Sequence, residues 1–376
     1  MVKVALLRVE DYDYQKVEDA IRRGLALLDI GEDFFQGKEV LLKPNLLAPA
    51  PVEKPVCSHP SVVRGMARVA LEGGGKVGVG DSPGLGSVQR VARACGLTPL
   101  LQELGVSLLS FEDKVEKKFP EGGICKAFPL ASLLEEKEIL VNLARLKTHN
   151  LTRYTGAVKN LYGCIPGHQK GAYHLRFNQV ENFHKMLGDL LGLVRPPLNL
   201  VDGIISMEGP GPRRGTPRST GFLVMSRDGV AADVMACRLV GIDPEEVLHL
   251  KYAGNMGFGV AEYEKIELVG EAEEELKVEG FQKAQGSGAP TGIIPPFLAN
   301  LMRDLFIFLP RVIPDQCKAC GVCVESCPAE VITMDKEVAR IDTKNCIRCY
   351  CCQELCPHEA IVLERSFTLR GILKRR

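Results

Sequence analysis

Apolar residues follow two rhythms over residues 1–288. Short runs dense in Val and Leu, such as Val2–Arg8, Glu39–Lys43 and Lys76–Gly80, read as buried strands. Ile139–Asn142, Asn199–Val201 and Phe222–Met225 are further strand candidates. Between them, Tyr14–Asp29, Pro60–Glu72, Ser87–Cys95 and Val230–Val240 carry apolar positions at helical spacing. Pro60 opens the second of these, where a missing N–H costs nothing. Strands alternating with helices predict an α/β domain with a largely parallel sheet layered with helices.

The pattern changes after residue 288. Pro290, Pro295, Pro296, Pro310 and Pro314 surround the apolar run Phe297–Leu309, where Asn300, Arg303 and Asp304 form one polar stripe. That spacing predicts a linker helix within 289–314. A homodimer contact or an interfacial membrane contact, helped by Lys374–Arg376 in the basic tail 365–376, are its other readings. The run is too short to span a bilayer, and no stretch reaches about 18 apolar residues, so no transmembrane segment is expected. The N-terminus reads as a strand rather than a signal peptide, and the expected location is cytoplasmic.

Residues 315–364 carry the strongest chemical signal. Cys317, Cys320, Cys323 and Cys327 precede Pro328, and Cys346, Cys349, Cys352 and Cys356 precede Pro357. Each run is C-x2-C-x2-C-x3-C-P, the spacing of a two-cluster ferredoxin. In that arrangement the fourth cysteine of each run serves the other cluster. The expected ligands are therefore Cys317, Cys320, Cys323 and Cys356 for one 4Fe-4S cluster, and Cys346, Cys349, Cys352 and Cys327 for the second. Zinc sites usually present two C-x2-C pairs instead. A strand-like segment follows each run, at Val331–Met334 and Ala360–Leu363, so a small α+β two-cluster ferredoxin-like domain is predicted. Cys351 reads as a spare thiol. Cys57, Cys95, Cys125, Cys164 and Cys237 are scattered, as reduced thiols are. Oxidation-sensitive clusters point to anaerobic or low-oxygen conditions.

Charge narrows the partners. The 376 residues hold 47 basic and 47 acidic side chains, without the basic excess of a nucleic-acid binder. Upstream, five polar patterns stand at strand ends or in glycine-rich loops: Lys43-Pro44-Asn45, Gly80-Asp81-Ser82-Pro83-Gly84, Lys147-Thr148-His149 followed by Thr155–Gly163, Pro166–Lys170 with His174, and Asp202–Ile204 with Met207–Pro212. Ligands of parallel sheets bind at the carboxyl ends of strands, so one shared site is expected. Lys43, Asn45, Asp81, Ser82, Gly84, Lys147 and Asn160 are candidates for holding a small anionic substrate or cofactor. Lys170, His174, His149 and Lys159 are candidates for proton delivery. Asp202, Glu208 and Asp233 are either cation ligands or caps and turn residues. No nicotinamide fingerprint is present. A flavin or other organic cofactor has no sequence signature here, although two-electron reduction would need one.

Taken in order, these motifs and the cysteine runs resemble the iron–sulfur branch of the domain of unknown function 362 family, fused to a bacterial-type two-cluster ferredoxin. The resemblance implies a prokaryotic cytoplasmic protein coupling an α/β domain to two clusters, and supplies no substrate. Two functions are expected. One is an oxidoreductase that passes single electrons to a substrate or cofactor in the α/β domain. The other is an electron-transfer subunit whose α/β domain docks on a larger redox partner. A structural or sensory role for the clusters is the weaker third.

Overall fold

The computed structural model describes residues 1–284 and 308–365. The run 285–307, with Asn300, Arg303 and Asp304, and the tail 366–376 lie outside the described residues. The chain divides into two units. The first comprises residues 1–170 and 180–284, and the described part of the second comprises 171–179 and 308–365.

In chain order the elements up to residue 284 are β1 (Val2–Arg8), α1 (Tyr14–Leu27), β2 (Glu39–Pro44), α2 (Pro60–Glu72), β3 (Lys76–Asp81), α3 (Val88–Ala94), α4 (Leu97–Glu103) and β4 (Ser107–Ser110). Then come β5 (Lys114–Lys118), β6 (Ala127–Ala131), β7 (Ile139–His149), β8 (Arg153–Thr155), α5 (Ala157–Asn160), α6 (Gly167–Arg176) and α7 (Val180–Val194). Last are β9 (Leu198–Glu208), β10 (Thr216–Ser226), α8 (Gly229–Leu239), α9 (Leu248–Asn255), β11 (Ile266–Gly270) and α10 (Glu273–Leu276).

The main sheet runs β11-β1-β10-β9-β7-β2-β3-β4, with β8 paired to β7. Strands β9, β7, β2, β3 and β4 are successively parallel, as are β1 and β11. β10 is antiparallel to both β1 and β9, so the sheet is mixed and mostly parallel. One face buries Leu42, Val79, Val141, Leu143 and Leu200 against Ile21, Val63 and Met66 of α1 and α2. α5 and α8 pack on β7, β9 and β10. Local chemistry sets the helix starts. Asp13 accepts from the N–H groups of Gln15 and Lys16 at the head of α1, and Ser87 caps α3.

The second unit holds β12 (Phe308–Val312), α11 (Val322–Glu325), β13 (Ile332–Asp335), β14 (Val338–Ile341), α12 (Cys351–Leu355) and β15 (Ile361–Arg365). β12 pairs antiparallel with β15, and β13 with β14. Residues 308–312 are therefore a strand of the cysteine-rich unit, not the end of a linker helix. Pro310 is tolerated because this two-stranded sheet is all edge.

Candidate functional site

The polar motifs of the α/β unit converge on the carboxyl ends of β2, β3, β7 and β9. Alternation along a strand sends neighbouring side chains to opposite faces. The motifs therefore separate into two networks, not the single shared site expected.

The first network lies on the α5 side. Lys43, Asn142 and Asn199 stand in register on three adjacent strands. Asn142 Nδ2 donates to Asn199 Oδ1 at 2.9 Å, and Asn160 Nδ2 of α5 donates to Asn142 Oδ1 at 2.8 Å. Lys43 is fully buried and paired with Asp81 at 2.8 Å. Asp81 also accepts from the N–H groups of Leu46 (2.7 Å) and Ser82 (2.9 Å). The approach requires a glycine: a Cβ on Gly163 would fall 2.0 Å from Asp81 Oδ1 and 2.6 Å from Lys43 Nζ. Lys170 of α6 donates its ammonium to the carbonyls of Ser82 and Pro83. Burial lowers its pKa to about 8, with Asp81 opposing and Lys43 assisting the shift. Nearby, burial pushes the Cys164 thiol up to about 12. Gly84 anchors the loop through its N–H to the Leu47 carbonyl.

The second network lies on the α2 side. Arg145 and Asp202 are both buried and 3.2 Å apart. Tyr12 donates its hydroxyl to Asp202 at 2.9 Å and stacks on His59 with ring centroids 3.5 Å apart. Burial, with Arg145 beside it, lowers the His59 pKa to about 3, so this ring stays neutral. Arg145 also donates to the Cys57 carbonyl, and Lys147 to the Val56 carbonyl and Asn45 Oδ1. Asn45–Leu46 thus links the two networks, contacting Lys147 on one side and Asp81 on the other.

The remaining candidates fall elsewhere. His149 Nδ1 accepts from the N–H groups of Leu151 (3.1 Å) and Thr152 (3.3 Å), which folds the turn after β7. Lys159 sits on α5 and its charge bears on Lys170, His184 and His249. His174 lies in 171–179, the stretch grouped with the second unit. Of the carboxylates weighed as cation ligands, Asp233 accepts from Ala157 and Val158 N–H and from Tyr154, and Glu208 accepts from Gln282 N–H. Burial raises the Asp233 pKa to about 7. Sequence reasoning missed Asn142, Arg145, Tyr12 and the buried pair His184–His249, whose Nδ1 atoms are 3.0 Å apart. Arg145 within the apolar run Leu143–Leu146 was a usable signal, because a charge there needs a buried partner.

The cysteines of the second unit behave differently. None of the fourteen cysteines is in a disulfide. Cys317, Cys320, Cys323 and Cys356 line one small hollow, and Cys327, Cys346, Cys349 and Cys352 line another. The loops around them repeat in backbone conformation. Ala319, Gly321 and Glu330 have φ of 50°, 76° and 53°; Arg348, Tyr350 and Glu359, each 29 residues later, have 57°, 62° and 53°. Left-handed residues let the short loops turn their sulfurs inward. Main-chain N–H groups aim at the sulfurs too, from Arg348 to Cys346 (3.4 Å) and from Ala360 to Cys356 (3.3 Å). Four thiols lining each hollow, with a main-chain N–H donating to one sulfur at each, have the donor chemistry of a thiolate-held cubane, although among the described residues no group of three is placed to hold a metal ion as it stands.

Among the described residues, no helix is long and apolar enough to cross a membrane. A "thylakoid-associated protein" of Synechocystis sp. is 34% identical over 250 residues, covering 66% of this chain and 77% of that protein. Among solved structures, a Thermotoga maritima protein aligns with a TM-score of 0.38 at 13% identity, covering 62% of this chain and 60% of that one. The lactate racemase apoprotein from Thermoanaerobacterium thermosaccharolyticum aligns with a TM-score of 0.40 at 13% identity, covering 63% and 56%. Family models match the domain of unknown function DUF362 over residues 40–238 and the 4Fe-4S dicluster domain over 309–357. The chain belongs to the DUF362 family, with a 4Fe-4S dicluster ferredoxin domain fused C-terminally.

Proposed function

We propose that this protein is a reductase-type iron–sulfur protein that carries single electrons through two 4Fe-4S clusters to a substrate or cofactor held by the α/β unit. The two quartets of cysteines, each gathered around its own hollow, carry this reading. Cys317, Cys320, Cys323 and Cys356 would hold one cluster, and Cys346, Cys349, Cys352 and Cys327 the other. Bound clusters supply one-electron storage and transfer at a potential set by charge, hydrogen bonds and exposure. Reduction also needs protons, and Lys170 is the group best suited to deliver one. Its pKa of about 8 keeps it mostly charged at neutral pH yet able to release the proton. Lys43 and Lys147 stand at the same sheet edge, the first paired with Asp81 and the second with Asn45 and the Val56 carbonyl, and an anionic or carbonyl-bearing ligand would have to take over these partners.

One observation favours a second reading. Lys43 and Lys147 are bonded to protein oxygens, which suits a braced docking platform as well as a substrate cradle. In that case the α/β unit delivers the clusters to a larger redox partner. Membrane association comes into this reading from the thylakoid-associated relative.

Anaerobic purification followed by denaturation and mass spectrometry separates the two. A stoichiometric organic cofactor, together with the iron and sulfide of two cubanes, supports the reductase. Iron and sulfide alone favour the docking carrier, and absence of iron–sulfur centres overturns both.

A further inference from the structure

The second unit has an open groove between its two hairpins. Among the described residues β12 pairs only with β15 and β14 only with β13, so each strand keeps one edge that no other described strand covers. The bonds that continue each ladder fix which residues face outward. Ile313 N–H donates to the Ala360 carbonyl, and Asp342 N–H to the Val331 carbonyl. Antiparallel alternation then turns the main chain of Pro310 and Val312 in β12, and of Ala339 and Ile341 in β14, away from the paired strand. Pro310, with no N–H to give, stands at one of these outward positions. Leu309, Pro310, Val312, Val338, Ala339 and Ile341 line the groove. Four of them, Leu309, Val312, Val338 and Ile341, are only half-buried, so the lining is an apolar surface without full cover. Val312 and Ala339 also line the first cysteine hollow, and Ile341 the second.

The chain itself supplies a segment that fits. Residues 366–376 follow β15 directly. The last residue of β15, Arg365, stands opposite Phe308, the first residue of β12. The segment therefore starts one strand spacing, about 4.8 Å, from the strand whose far edge walls the groove. The wall Leu309–Val312 is about 13 Å long, and residues 366–376 reach about 36 Å when extended, enough to cross β12 and run the length of the groove. Phe367 and Leu369 alternate with Thr368 and Arg370, the period of an extended segment with one apolar face.

We propose that residues 366–376 turn back across β12 and seat in this groove, with Phe367 and Leu369 on the floor formed by Val312, Ala339 and Ile341. Apolar side chains on both sides leave water. The outward main-chain groups of β12 and β14 gain partners, as in strand addition. A short tether holds the segment at roughly millimolar effective concentration, ahead of a second copy or a free peptide. The seat covers the outer wall of both hollows and so limits the water that reaches their thiols. The inference stands apart from the two-cluster reading, since it uses no cysteine and no cluster.

Hydrogen–deuterium exchange tests it on the anaerobically purified full chain. Two variants stand beside it: one ending at Arg365, and a Phe367→Asp/Leu369→Asp double variant whose changes lie outside the described fold. Exchange at the Val312, Ala339 and Ile341 amides is expected to be roughly tenfold faster in both variants, while the Arg311 and Arg340 amides, bonded within their hairpins, change less. A synthetic peptide of residues 366–376 is expected to bind the shortened chain and to be excluded from the full one. Equal exchange in all three proteins, protection that maps away from β12 and β14, or a peptide that the shortened chain does not bind overturns the proposal. Protection that grows with protein concentration, together with a dimer in light scattering, overturns it in favour of a second copy's groove. Unchanged exchange with loss of co-sedimentation on phosphatidylglycerol vesicles in the shortened chain overturns it in favour of a membrane contact.

Discussion

Lysines in the α/β unit and cysteines in the dicluster unit both gather from distant points of the sequence, but they end in different surroundings. Lys43 and Lys147 meet protein acceptors: Asp81 for the first, Asn45 and the Val56 carbonyl for the second. The cysteine quartets instead surround hollows and receive N–H donors at their sulfurs. A buried charge must be compensated by the fold itself. Thiols shaped for a guest can wait for compensation from the guest. The cysteine unit should therefore depend on what it binds, and the lysine edge on its internal bonds.

The largest expected break in that contrast is Cys320→Ala. It should remove one cluster's iron and acid-labile sulfide and perturb its neighbour. Full wild-type iron in this variant would reject the ligand set proposed for the first hollow. In the α/β unit, Gly163→Ala forces a methyl into the Lys43–Asp81 pair and should cost about 3–5 kcal/mol in chemical denaturation, as breaking a buried pair does. Its iron content should not change.

Lys170→Met acts through pH. The folded-state pKa of about 8 lies below the ordinary 10.5, so between these values the unfolded chain binds the extra proton. Lys170 therefore makes wild-type stability rise as pH increases from about 8 to 10.5. The Met variant should flatten that rise and keep both clusters; an unchanged slope would mean the amine is not enclosed. Asp233→Asn should have the smallest effect, about 1 kcal/mol from a weakened cap on α5. Here the folded pKa of about 7 lies above the ordinary 3.8. The contribution is fully present below pH 3.8 and is lost as pH rises through about 7. Thermal unfolding of the Asn variant across that window should lack this dependence.

Much of this arrangement was legible in the residues. Pro60–Glu72 is a helix with the expected ends, and β1 occupies the expected Val2–Arg8. The apolar pattern predicts an end at Asn142, whereas β7 runs to His149. Its polar residues pair with groups far away in sequence, such as Asp202 and Val56, so the pattern looked like the end of a buried strand. The division of the strand-end motifs between two faces was hidden for a related reason. Alternation assigns faces only once strand register is known, and register is a tertiary property. The cysteine quartets were legible because their spacing alone fixes which sulfurs share a loop. β12 was not, because Phe308–Val312 continues an apolar, proline-bearing run and pairs with a strand near the far end of the unit.

That last pairing has a topological consequence. Phe308 stands opposite Arg365, so the polypeptide enters and leaves residues 308–365 at neighbouring points. A segment whose two ends meet can be spliced into a loop of a host, or excised from one, without stretching either. The pairing of β12 with β15 therefore closes residues 308–365 on themselves.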